Sequence, residues 1–181
     1  MSQTGRLLVA TPVIGDPNFE RTVVLVLSHG DDGAFGVVIN RPSDTRVDEI
    51  APEWSDHVVA PAVVFVGGPV GRDAVLGLAR AEDPPPSGFG PLAGSFGTVD
   101  LHAPPEPDTA PWTGVRLFAG SAGWTAGQLE DELAEGAWWV FDAADDDLLT
   151  PDPSDLWARV LRRQPGEVAW FANHAADPTA N

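Results

Sequence analysis

The sequence predicts an α+β protein built on a mixed, largely antiparallel sheet. Three observations carry that expectation: many short apolar runs bounded by Gly, Pro, Asp or Asn, few helical patterns, and no strict alternation of strand and helix. The strand candidates are Leu7 to Ala10, Val23 to Leu27, Phe35 to Ile39, Val63 to Val66, Ala74 to Ala79, Val115 to Phe118 and Ala137 to Phe141. Between the second and third, Ser28-His29-Gly30-Asp31-Asp32-Gly33 gathers residues that tolerate positive φ, so these two strands form an antiparallel hairpin. Helices are expected over Val47 to Trp54, Ala126 to Glu135 and Asp155 to Arg163. In the last of these, Leu156 and Val160 line one face and the arginines at 159, 162 and 163 suit the C-terminal dipole.

The run from Leu117 to Glu130 reads as a strand entering a glycine turn and leaving as a helix, with Thr125 and Gln128 spaced as a capping box. Trp138 and Trp139 are adjacent, so on a strand they face opposite ways, one into the core and the other exposed or covered by a partner. Glu82 to Pro91, Ala103 to Thr113 and Asp142 to Ser154 read as loops too short to separate independent cores. Residues 1–181 are therefore expected to form one domain, with a tail from about 172 that frays.

Composition narrows the chemistry. The chain has 181 residues, a formal net charge of −17, no cysteine and no lysine, all ten cations being arginine. Disulfides, thiolate nucleophiles and cysteine-based metal sites are excluded. Such a field repels phosphate backbones and anionic membrane surfaces, so direct nucleic-acid and membrane contacts are not expected. No apolar run reaches membrane-spanning length and no signal peptide is legible, which points to a cytoplasmic protein. The histidines at 29, 57, 102 and 174 lack metal-ligand spacing, and the aspartates at 145 to 147 lack the glycine and terminal glutamate of a calcium loop. Neither a metal nor a cofactor is expected.

Several segments together are similar to the YqgE/AlgH family. They are Pro17-Asn18-Phe19-Glu20-Arg21-Thr22-Val23-Val24, His29, Gly33 to Pro42, Gly67-Gly68-Pro69-Val70, and Ala122-Gly123-Trp124 leading through Gly127-Gln128-Leu129-Glu130 to Trp138. Any one is common; their order and spacing over nearly the whole chain are specific. The resemblance implies a sheet that bifurcates and curls into a partial barrel flanked by helices, and a regulatory label in some members. The chain departs from the family pattern at Ser121 and in a proline-rich insert near Ala103 to Pro111.

Two constellations are weighed for chemistry. Ala119-Gly120-Ser121-Ala122-Gly123 resembles a nucleophile elbow, and Ser121, an aspartate at 142 or 145 to 147, and His174 follow the order of a serine hydrolase. The plainer reading makes Ser121 a turn former. His29 with Asn40 and Arg41 offers an imidazole, an amide and a guanidinium for a small anion; the plainer reading gives them turn, capping and ion-pair roles. The expectation is a non-enzymatic protein acting in a regulatory role through a protein partner or a small anionic ligand. Its candidate contact and motif residues are His29, Asn40, Arg41, Gly67, Gly68, Gly123, Trp124 and Gln128. The rival readings are a serine hydrolase using Ser121 with His174, and an anion binder at His29 and Arg41.

Overall fold

A computed structural model describes residues 1–106 and 112–173. Ten strands run β1 (Arg6–Ala10), β2 (Val23–Gly30), β3 (Gly33–Val38), β4 (Pro42–Arg46), β5 (Val63–Val66), β6 (Val70–Arg80), β7 (Phe89–Ala93), β8 (Phe96–Val99), β9 (Gly114–Thr125) and β10 (Trp138–Asp142). The helices are α1 (Val47–Ile50), α2 (Gln128–Ala134) and α3 (Leu156–Arg162), with 3-10 segments at Pro52–Trp54, Pro153–Asp155 and Gly166–Asn173. No described helix is long and apolar enough to cross a membrane.

The main path of the sheet is β10-β1-β2-β3-β9-β6-β8-β7, antiparallel at every step. β5 runs parallel to β9 and carries β4 on its other side, which supplies the mixed character. The β2–β3 hairpin closes over Asp31 and Asp32, with a bulge between Val26 and Ser28. The apolar runs are continuous rather than alternating because both faces of the sheet are covered. Leu7 and Val9 pack with α3 in one core, while Leu8 and Ala10 pack in a second core with Leu129 of α2. A third core joins Val47 and Trp54 to Val115 and Leu117.

The sheet divides along β9. Its C-terminal part, Ala122 to Thr125, pairs with β3, whereas Phe118 and Ala119 pair with β5. Where the two wings part, the Val38 amide donates to the Gly67 carbonyl and the Gly67 amide to the Ala119 carbonyl. The backbones meet so closely that a Cβ at Gly67 would collide with the Gly120 carbonyl, and one at Gly68 with that of Ser121. Only glycine fits there. Gly120 is left-handed, φ 76°, and acts as a bulge. Before it, even-numbered Phe118 faces the first core; after it, even-numbered Ala122 and Trp124 face the second. One left-handed residue thus exchanges the faces of the strand and lets it serve both wings. The result is the curled, divided antiparallel sheet with few helices that the resemblance implied.

Three expectations need correcting. The strand expected to end at Phe118 continues to Thr125, because Gly120 bends the ladder without ending it. The stretch Glu82 to Pro91, expected as loop, contributes the start of β7. Of the adjacent pair, of which one was expected in the core and the other exposed or covered by a partner, Trp138 is buried and Trp139 packs against Phe171, ring centroids 5.3 Å apart, so the chain covers its own tryptophan.

Candidate functional site

The C-terminal end of β9, the start of α2 and the loop before β2 meet around a cleft of about 310 Å³. That is the lower end of the range for small-ligand sites. Three residues singled out from the sequence line it, Gly123, Trp124 and Gln128, together with Phe19, Glu132 and Trp138. Glu132 organises the group. Its Oε2 accepts both indole N–H groups, from Trp124 and Trp138, each at 2.8 Å, and its Oε1 accepts the Gln128 amide at 3.0 Å. All three donors are neutral, and no cation pairs with Glu132 among the described residues, so a half-buried negative charge stays uncompensated.

The aromatic rings are set by the same contacts. Trp124 and Trp138 cross at 75° with centroids 6.0 Å apart, and Phe19 meets Trp138 at 77° and 5.6 Å. Edge-to-face pairs of this kind are favoured by the ring quadrupole. Gly127 begins α2 in a left-handed conformation, φ 79°, and the capping box expected at Thr125 is half formed. Gln128 Oε1 accepts the Thr125 amide at 3.1 Å, but the Thr125 hydroxyl turns to the same side chain instead of the helix backbone. The helix starts two residues later than a reciprocal box would place it, and the Gln128 amide nitrogen, which neither arrangement uses, donates to Glu132.

The other candidates hold the walls of this region. Arg41 donates to the carbonyls of Asn18 at 2.6 Å, Glu20 at 2.8 Å and Pro17 at 3.1 Å, and burial pushes its pKa down. Asn40 accepts the Val23 amide and donates to the Arg21 carbonyl, both at 2.9 Å. Together they pin the loop that carries Phe19. His29 lies roughly 20 Å from Arg41, at the other end of β3, where it pairs with Ala34, itself paired with Trp124. Its Nδ1 accepts the Gln3 amide at 3.0 Å, so in the neutral ring Nε2 holds the proton and donates to Glu130 Oε1 at 2.7 Å. The Glu130 carboxyl is held below its ordinary pKa by its own backbone amide and then by His29. His29 and Arg41 therefore do not converge, and both spend their polar atoms on the chain itself.

Ser121 sits inside β9, paired with Val70, and the positive φ belongs to Gly120 before it. A nucleophile elbow needs a strand-to-helix turn at the serine; here four more strand residues intervene. His174 lies outside the described residues. Of the aspartates, Asp147 is held by Arg163 at 2.6 Å and Asp142 by Arg6 at 3.1 Å. Gly67 and Gly68 serve the division of the sheet described above.

Glu132 and Phe19 were not singled out for the site from sequence. Glu132 looks like an ordinary acid on a helix surface, and only its i, i+4 spacing from Gln128 hints at a partner. Its two tryptophans come from flanking strands, a convergence that spacing does not reveal.

The known proteins most informative here match over nearly the whole length. A UPF0301 protein of Streptomyces coelicolor is 50% identical over 186 residues, covering 99% of this chain and 96% of the relative. A UPF0301 protein of Thermobifida fusca is 49% identical over 191 residues, covering 100% and 96%. The crystal structure of a Corynebacterium diphtheriae protein superposes with a TM-score of 0.88 at 33% identity, covering 94% of this chain and 92% of that one. The solution structure of AlgH from Pseudomonas aeruginosa gives 0.68 at 27% identity, covering 97% and 95%. The family model described as AlgH-like matches residues 7–169. With the divided sheet in common and the match spanning the core of the chain, this protein belongs to the AlgH-like family.

Proposed function

We propose that this chain is a non-enzymatic, cytoplasmic binding protein that acts in a regulatory role by engaging a protein or small ligand at the Trp124–Trp138 cleft. The convergence of two indoles, a phenyl ring, an amide and one carboxylate on a single concave surface carries this reading. Apolar walls with a few fixed polar groups are the common make-up of ligand sites. The placement of Ser121 within a paired strand supports a binding role over acyl transfer. The net charge of −17 supports a protein or small-molecule target over nucleic acid.

The test follows the indole N–H resonances of Trp124 and Trp138, assigned through Trp124→Phe and Trp138→Phe, during a screen of amines, carboxylates, phosphates and sugars. Ligands are expected to shift these two resonances among the seven tryptophans. Labelling by a fluorophosphonate probe that disappears in Ser121→Ala would overturn the non-enzymatic reading. Hits that consistently leave both indoles unmoved would overturn the cleft.

A further inference from the structure

We infer that the cleft is selective for an organic cation, an alkylammonium head group, in preference to an anion or a neutral apolar molecule. This deepens the reading of the cleft as the contact site and rests on it. The argument starts from Glu132. Its three donors are neutral, and among the described residues its Oε1 accepts only the Gln128 amide, so an acceptor site stays open beside the cavity. Among the described residues, no lining side chain is an arginine or a histidine. Arg41, which holds the loop carrying Phe19, is committed to the carbonyls of Pro17, Asn18 and Glu20.

The walls favour the same class of ligand. Trp138 stands nearly perpendicular to both Phe19 and Trp124, so the cleft is bordered by aromatic rings in two orientations. An ammonium group is drawn to the face of an indole, and its methyl or methylene groups gain from apolar contact there. A hard metal ion wants several converging oxygen ligands, and among the described residues no three acidic or histidine side chains come together to hold one. An anion meets Glu132, with Asp16 and Glu135 also on the lining. The ammonium can come from a free amine or from a lysine side chain of a protein, and the two share this chemistry.

The experiment titrates the protein with choline, with its neutral isostere 3,3-dimethylbutan-1-ol, with acetate, and with a short peptide holding one lysine, against the same peptide holding norleucine. The readout is the pair of indole resonances. Choline is expected to shift both saturably, and its isostere to bind at least about tenfold more weakly. Glu132→Gln keeps an oxygen for the indoles and removes the charge, and is expected to weaken choline by about tenfold. Glu135→Gln, at the rim, is expected to cost less and guards against a folding defect in the first variant. A response to the lysine peptide but not to choline assigns the ammonium to a protein partner, and the reverse assigns it to a free amine. Equal binding of choline and its isostere overturns the inference, as does a response to acetate alone, while either leaves the cleft as the contact site. Silence of both indoles toward every ligand class sinks the inference and the proposed function together.

Discussion

The two ends of β9 each meet an unpaired charge, and the chain treats them differently. Near the start, the Arg116 guanidinium is 1% exposed, donates to the carbonyls of Thr150 and Ala60 at 2.8 Å and Leu148 at 3.1 Å, and lies over the Phe65 ring at 4.4 Å. No carboxylate pairs with it among the described residues. Near the end, Glu132 is held by two indoles and an amide. Both charges are met by neutral dipoles, although the buried Arg116 Nε has no partner among the described residues, but Arg116 is sealed and Glu132 borders a cavity. A sealed charge ties segments together; an open one keeps an electrostatic demand that a ligand can meet. The comparison separates scaffold from site without reference to any reaction.

Removing the sealed charge should have the largest effect. Arg116→Met leaves three carbonyls facing an apolar side chain, and the expected loss of stability is about 3–5 kcal/mol, read as a lower midpoint in urea unfolding. Burial also pushes the Arg116 pKa down to about 10. A base with a lowered folded pKa binds fewer protons folded than unfolded between its folded and unfolded pKa, so its contribution rises with pH there, by at most about 1.4 kcal/mol per unit. The chain has no lysine, tyrosine or cysteine to obscure this window. Stability of the wild type is expected to climb relative to Arg116→Met above pH 10. A pH-independent difference there would show that the guanidinium is better solvated than its burial implies.

Most of the sheet was legible because burial on both faces writes itself as uninterrupted apolar runs, as in Leu7 to Ala10 and Val63 to Val66. The strands missed are β4, β7 and β8, whose sequences PSDTR, FGPLA and FGTV are short, polar or rich in glycine and proline. They are strands because of long-range pairing, which local composition does not record. The continuation of β9 through Gly120 was hidden for a related reason: glycine reads as a stop unless the partner strands are known. At the site, Trp124 and Gln128 stood out through their local motif, whereas Glu132 acquires its role from two tryptophans on different strands. Arg41 and Asn40 were legible as residues of interest, but as ligand contacts; their carbonyl partners lie about twenty residues away in sequence.

A smaller effect should follow from loosening the wall between the two regimes. Arg41→Ala frees the carbonyls of Pro17, Asn18 and Glu20 at a partly exposed position, where water replaces some of the lost bonds, so about 1–2 kcal/mol is expected. Hydrogen exchange should quicken at the amides of Phe19 and Thr22, and the Phe19 ring should lose its fixed place against Trp138. Arg41→Lys should restore only part of this, because one ammonium cannot span three carbonyls as a planar guanidinium does. Exchange that rises evenly over the whole sheet would mean that Arg41 supports the fold at large instead of the wall of the cleft.

The smallest effect sharpens the contrast from the far side of α2, where the exposed Glu130 pairs with His29. Its carboxyl is held below the ordinary value, first by its own amide in the opening turn of the helix and then by the imidazole. An acid with a lowered folded pKa adds stability above its unfolded pKa of 4.5, and that contribution disappears as pH falls through the folded value. Glu130→Gln should therefore be slightly less stable than wild type at neutral pH, and the two curves should converge below pH 4.5. Because the exposed Glu130 carboxylate lies in the first turn of α2 and faces its dipole, added salt should shrink the difference as well. The bonds of the half-buried Glu132, past that first turn and with neutral indole and amide donors, should respond less to salt. A Glu130→Gln difference that survives both acid and salt would mean that α2 is anchored through packing of Leu129 rather than through this contact.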